Sequence, residues 1–186
     1  MPVSGLSTST NSSALVGMPA PFTASISGGS NVSYTWTFGD GVSASGPTSA
    51  HTYSAMGIYT IIVTATNGLS TLTQTVQIQV NDVPITGLNI TTTVSSPITV
   101  GAPVTFGGQV SAGSNVIYTW SVDGVVVGSG PTLPYSFTTP GTHTVTVTAG
   151  NGAGSQTSTT IVTVLPSGNQ TRRFYMPVMK VTSQHL

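Results

Sequence analysis

Tyr34-Thr35-Trp36-Thr37-Phe38-Gly39-Asp40-Gly41 decides the fold. Large apolar side chains at Tyr34, Trp36 and Phe38 alternate with threonines, the period of a strand with one face buried. The run then stops at Gly-Asp-Gly, a turn former. Its echo, Tyr118-Thr119-Trp120, lies 84 residues later. Working outward in that register, Val16-Gly17-x-Pro19 falls on Val100-Gly101-x-Pro103 and Ser30-Asn31-Val32 on Ser114-Asn115-Val116. Gly46-Pro47-Thr48 falls on Gly130-Pro131-Thr132, and Asn67-Gly68 on Asn151-Gly152. From residue 14 to 82, 27 of 69 positions are identical without a gap, so the chain holds two copies of one module.

Each copy alternates apolar and small polar residues in several further runs. In the first these are Phe22/Ala24/Ile26, Tyr59/Ile61/Val63/Ala65 and Val76/Ile78/Val80; in the second, Val104/Phe106, Val145/Val147/Ala149 and Val162/Val164. Clusters of Gly, Pro, Asn and Ser separate them at the spacing of a sandwich, and no run has a helical period. The expected architecture is all-β: two tandem β-sandwiches, residues 1–82 and 83–165, followed by a tail, 166–186, that contains an extended docking strand. The passage between the copies, Asn81-Asp82-Val83-Pro84, has no Gly/Ser linker and is stiffened by proline, which predicts a semi-rigid rod.

Composition narrows the function. The 186 residues include 3 Lys+Arg, 3 Asp+Glu and no cysteine, and charged residues are 3% against about 25% in ordinary soluble proteins. Twenty-five Ser and 33 Thr supply the polarity instead. Three cations cannot make a nucleic-acid surface, and the absence of Cys excludes disulfides and thiolate metal sites. No apolar run reaches the 18 residues of a membrane span. The opening Met1–Gly5 lacks the basic and apolar regions of a signal peptide, so either a signal has been removed or the chain is part of a larger product. A surface so poor in charge needs sugar or burial in an assembly to stay in solution.

The segment 34–41, with His51-Thr52-Tyr53 and Gly57-x-Tyr59 through Val63, Ala65 and Asn67, resembles the PKD (polycystic kidney disease) domain. The second copy keeps Trp120, Gly141, Val147 and Asn151. It replaces the Phe-Gly-Asp-Gly turn by Val122-Asp123-Gly124, His-x-Tyr by Tyr135-Ser136-Phe137, and the strand tyrosine by His143. The resemblance implies a seven-stranded Ig-like sandwich, an extracellular or cell-surface setting, and a role in spacing, adhesion or assembly without chemistry.

Every reactive candidate has a structural reading that accounts for it. Asp40, flanked by glycines with no second carboxylate near, is a turn residue rather than a metal ligand. Asp123-Gly124 between Val122 and Val125 is a two-residue hairpin turn. His51 is a hydrogen-bonding structural histidine, and no nucleophile motif accompanies it. Trp36 and Trp120 could stack on sugars if exposed, but each is in phase with core residues. No catalytic residue, metal site or cofactor is expected. Asn11, Asn31, Asn89 and Asn169 each begin an Asn-x-Ser/Thr sequon and are candidate glycosylation sites.

The tail shifts in character. Arg172, Arg173 and Lys180 are all of the Lys and Arg in the chain, and Phe174, Tyr175, Met176, Val178 and Met179 make it apolar on both faces. Such a segment fits an unguarded sheet edge on another copy of the chain. The function expected is an extracellular structural subunit, glycosylated, that self-assembles into a filament or surface coat through β-strand contacts. The alternative is an adhesin or a carbohydrate-binding fragment of a larger secreted protein.

Overall fold

The computed structural model describes residues 1–168, and all their regular structure is β. The tail candidates from Asn169 onward lie outside the described residues. In the first module a three-stranded sheet, ordered β1-β3-β6, comprises β1 (Ser7–Thr10), β3 (Pro19–Ser25) and β6 (Thr48–Thr52). It faces a five-stranded sheet, ordered β2-β8-β7-β4-β5. Its strands are β2 (Ser13–Leu15), β4 (Ser33–Thr37), β5 (Ser43–Ser45), β7 (Gly57–Thr66) and β8 (Thr71–Asn81).

The second module repeats both sheets. The smaller is β14-β11-β9, made of β9 (Asn89–Thr92), β11 (Pro103–Gln109) and β14 (Thr132–Ser136). The larger is β10-β16-β15-β12-β13: β10 (Ile98–Thr99), β12 (Ile117–Val122), β13 (Val125–Ser129), β15 (Gly141–Asn151) and β16 (Gly154–Leu165).

Eight strands per module, against the seven the resemblance implies, come from one strand that changes sheets. β1 pairs antiparallel with β3; after a break at Asn11-Ser12 the chain resumes as β2, parallel to the end of β8. β9 and β10 do the same in the second module. Such a crossing closes the corner of a sandwich.

The alternating runs point inward as their period requires. Phe22, Trp36, Phe38, Tyr53, Ile61 and Val63 lie in one core, and Phe106, Trp120, Phe137, Val145 and Val147 in the other. Trp36 and Trp120 are both 0% exposed, and each indole N–H donates to a turn carbonyl, of Gly46 and Gly130 respectively, at 2.9 Å. Neither is a sugar platform. Outer faces are rows of threonine, with hydroxyls meeting across strands at Thr64–Thr73, Thr66–Thr71, Thr146–Thr159 and Thr148–Thr157.

Candidate functional site at the module ends

All three carboxylates of the chain are engaged, each at an end of a sandwich. Asp40 sits in the turn after β4. One oxygen accepts from the Val42 N–H at 3.1 Å, and the other lies 2.6 Å from His51 Nε2 on β6. The imidazole stacks on Phe38 and meets Tyr53 edge-on. Burial pushes the Asp40 carboxyl up, but the His51 and Val42 hydrogen bonds and the imidazole's charge outweigh it and hold it below its usual range. Tyr53, fully buried, donates to the Phe38 carbonyl at 3.2 Å. Burial, then the charges of Asp40 and Tyr59, push its phenol up to about 12.

The second module builds a similar pair from other positions. Asp123 and Gly124 have φ of 50° and 81°, the left-handed pair of a type I′ hairpin joining Val122 to Val125. Asp123 accepts from the Thr144 N–H at 2.8 Å and lies 2.7 Å from His143 Nδ1. The opposite nitrogen of His143, Nε2, is 3.0 Å from the Thr139 carbonyl. The Asp123 carboxylate and the Thr139 carbonyl are both acceptors and are satisfied together by the doubly protonated ring, while the Thr139 hydroxyl, 3.4 Å from Nε2, can donate to the neutral one. The Asp123 bond, then the Thr139 bond, accordingly raise the His143 pKa, while His143 and then the Thr144 N–H lower that of Asp123.

The third carboxylate joins the modules. Asp82 is only 3% exposed and has no cation partner among the described residues. Oδ1 accepts from Ser114 Oγ at 2.7 Å and Asn115 Nδ2 at 2.6 Å, and Oδ2 from the Gly152 N–H at 2.9 Å. The Ser114 and Asn115 bonds lower its pKa against the effect of burial, with Gly152 adding to them. Beside it, Asn151 Nδ2 donates to the carbonyls of Val83 and Ser114. Met56 of the first module overhangs the Gly152 turn, and a cleft of roughly 620 Å³ opens between Met56, Ile117, Thr148 and Asn151. A Cβ at position 152 would lie 2.9 Å from Asp82 Oδ2 and 3.3 Å from the Met56 methyl, so this turn needs glycine. The semi-rigid passage expected at Asn81–Pro84 is thus a hydrogen-bonded joint.

Sequence reasoning placed Asp82 in the connector and did not see its three partners. The available signal was that Ser30-Asn31 and Asn67-Gly68 recur in the second copy as Ser114-Asn115 and Asn151-Gly152. It did place Asp40, Asp123 and His51 in structural roles, without seeing that histidines complete two carboxylate pairs. Asn11, Asn31 and Asn89 are exposed; Asn31 has φ of 54° and Asn89 begins β9. Among the described residues no three His or Asp side chains converge as a metal site, and no helix is long and apolar enough to cross a membrane.

The family profile matches the duplicated sandwich. The profile of the PKD domain matches residues 5–80 and again 87–164. Human polycystin-1 is 32% identical over 142 residues, covering 73% of this chain and 3% of its own length. Among solved structures, the PKD domain of the human VPS10 domain-containing receptor SorCS2 is 23% identical, covering 49% of this chain and 82% of that one with a TM-score of 0.42. The amphioxus IgVJ-C2 molecule is 19% identical, covering 81% and 99%, with a TM-score of 0.49. Two matches to the same profile, one on each sandwich, show that the chain belongs to the PKD domain family.

Proposed function

We propose that the chain is an extracellular structural subunit that assembles with copies of itself into a filament or surface coat through β-strand contacts. Its rigid units are residues 1–82 and 83–165, and residues 166–186 supply the docking strand. The observation that carries this reading is the edge of the second module. β13 is the outermost strand of its sheet, and Val125 and Val126 on it are 66% and 68% exposed. An apolar edge with no lysine or proline to guard it pairs readily with an added strand.

The first module's corresponding edge, β5, is three residues of Ser-Ala-Ser. Asp123 stands at the turn leading into β13, where it can steer Arg172 and Arg173 of an arriving tail. Sugars on Asn11, Asn89 or Asn169 would supply hydration that the missing charges do not. The alternative, an adhesin or a carbohydrate-binding fragment of a larger secreted protein, would have to bind through a surface other than the two buried tryptophans.

The test is removal of residues 172–186. Loss of polymers under the electron microscope, with both modules still folded by calorimetry, is the expected result. Unchanged assembly, or a full-length chain that stays monomeric at high concentration, overturns the proposal.

A further inference from the structure

The joint that holds the second module has a counterpart on the outer end of the first. Met1-Pro2-Val3-Ser4-Gly5-Leu6 matches Val83-Pro84-Ile85-Thr86-Gly87-Leu88 in sequence, and the two segments lie on their modules in the same way. Ser4 bridges Gly28 as Thr86 bridges Ala112, and Val3 and Ile85 are both buried. Asn67 Nδ2 donates to the carbonyls of Met1 and Ser30, as Asn151 Nδ2 donates to those of Val83 and Ser114. Asn31 and Asn115 share a left-handed backbone, φ 54° and 50°.

The residue ahead of Val83 is Asp82, and its carboxylate takes Ser114, Asn115 and Gly152. The same three residue types, Ser30, Asn31 and Gly68, surround the corresponding place on the first module, and all three are exposed. Ser30 Oγ also lies 3.4 Å from the Met1 amino group. One local feature differs. Gly68 has φ of 78°, whereas Gly152, with its N–H on the carboxylate, is outside the left-handed region.

We propose that Ser30, Asn31 and Gly68 form a receiving site for an aspartate carboxylate carried on the strand end of another module of this kind. The site would seat that module on the first as Asp82 seats the first on the second. It is selective. In the gapless register the position equivalent to Asp82 at the end of the second module is Pro166, which has no carboxylate. A second copy of this chain therefore cannot fill the site with its second module, and the partner is a module ending in Asp. This contact is separate from the edge of β13 and stands or falls independently of self-assembly.

The test uses the full chain lengthened by one residue ahead of Met1, acetyl-Asp in one version and acetyl-Asn in the other. Nuclear magnetic resonance reads the Gly68 amide and the Asn31 side-chain amide, with Gly152 and Asn115 in the same molecule as standards for the occupied state. The Asp version is expected to slow Gly68 amide exchange about tenfold relative to the Asn version. It is also expected to move the Asn31 resonances toward those of Asn115, with both effects lost on Ser30→Ala/Asn31→Ala substitution. With residues 1–82 joined ahead of Met1, so that an aspartate again precedes Met-Pro-Val, the same signals are expected at the original Gly68 and Asn31. Equal exchange and equal shifts in the Asp and Asn versions overturn the proposal. So does a sugar found on Asn31 of the natural protein, since a glycan there and a docked aspartate exclude each other.

Discussion

The two modules solve one problem with different residues. At the same end of each sandwich a turn carboxylate meets a histidine, but the first draws it from β6, as His51, and the second from β15, as His143. His143 stands where the first module has Tyr59, and it inherits that residue's other bond. Tyr59 donates to the Ala55 carbonyl, and His143 lies against the equivalent Thr139 carbonyl. The difference teaches that the fold specifies a polar tie across this end, not the positions that make it. It also leaves the modules with unequal chemistry. The first closes with a stack of Phe38, His51 and Tyr53; the second closes with His143 held between the Asp123 carboxylate and the Thr139 carbonyl.

The largest effect separates the modules altogether. Trp36→Ala and Trp120→Ala are each expected to cost about 3–5 kcal/mol, the range for aromatic core truncation. Calorimetry should show one transition lost or lowered and the other retained. Equal loss of both transitions from one substitution would show a single cooperative unit. A smaller effect tests the tyrosine. Tyr53→Phe leaves the buried Phe38 carbonyl without its donor and is expected to cost about 1–3 kcal/mol. The second module already carries Phe137 there, so Phe137→Tyr should bring no matching gain.

The next effect depends on pH. Folding raises the His143 pKa, so its contribution is complete below about pH 6.5, the ordinary histidine value, and fades as pH rises above that. Folding lowers the Asp123 pKa, so its contribution is complete above about pH 4 and fades as pH falls below that. The second module should therefore melt highest between those values and decline toward pH 8. His143→Tyr, which restores the first module's residue, should flatten that decline. The smallest expected effect is that of a chelator: EDTA should leave both melting temperatures unchanged, since no metal-ligating cluster is found among the described residues. A drop confined to one module would expose a cation site there.

What the sequence made legible follows from side-chain size. β4, β7, β8 and β15 carry runs of apolar residues at alternate positions, such as Tyr34/Trp36, Ile61/Val63, Val76/Ile78/Val80 and Val145/Val147, so their period marks them. β1, β2, β5 and β6 are built from Ser, Thr and Ala with His51 and an outward Leu15, and their inward positions are only half-buried. No hydrophobic alternation was there to read. The Asp123-Gly124 hairpin was legible because its turn chemistry is local. The joint was not: Asp82 finds its partners 32, 33 and 70 residues away, and only the sandwich brings them together.

The threonine rows on the outer faces carry one more consequence. Most proteins in solution keep their distance by like-charge repulsion, which fades within about 10 Å at 0.1 M salt and within about 3 Å at 1 M. These faces have almost no charge to screen. Their neighbours are held off, or allowed to approach, by the water that the hydroxyls bind. Contacts between such faces should therefore be nearly the same in dilute buffer and in brine, a property suited to a surface that must behave alike while the medium around it changes.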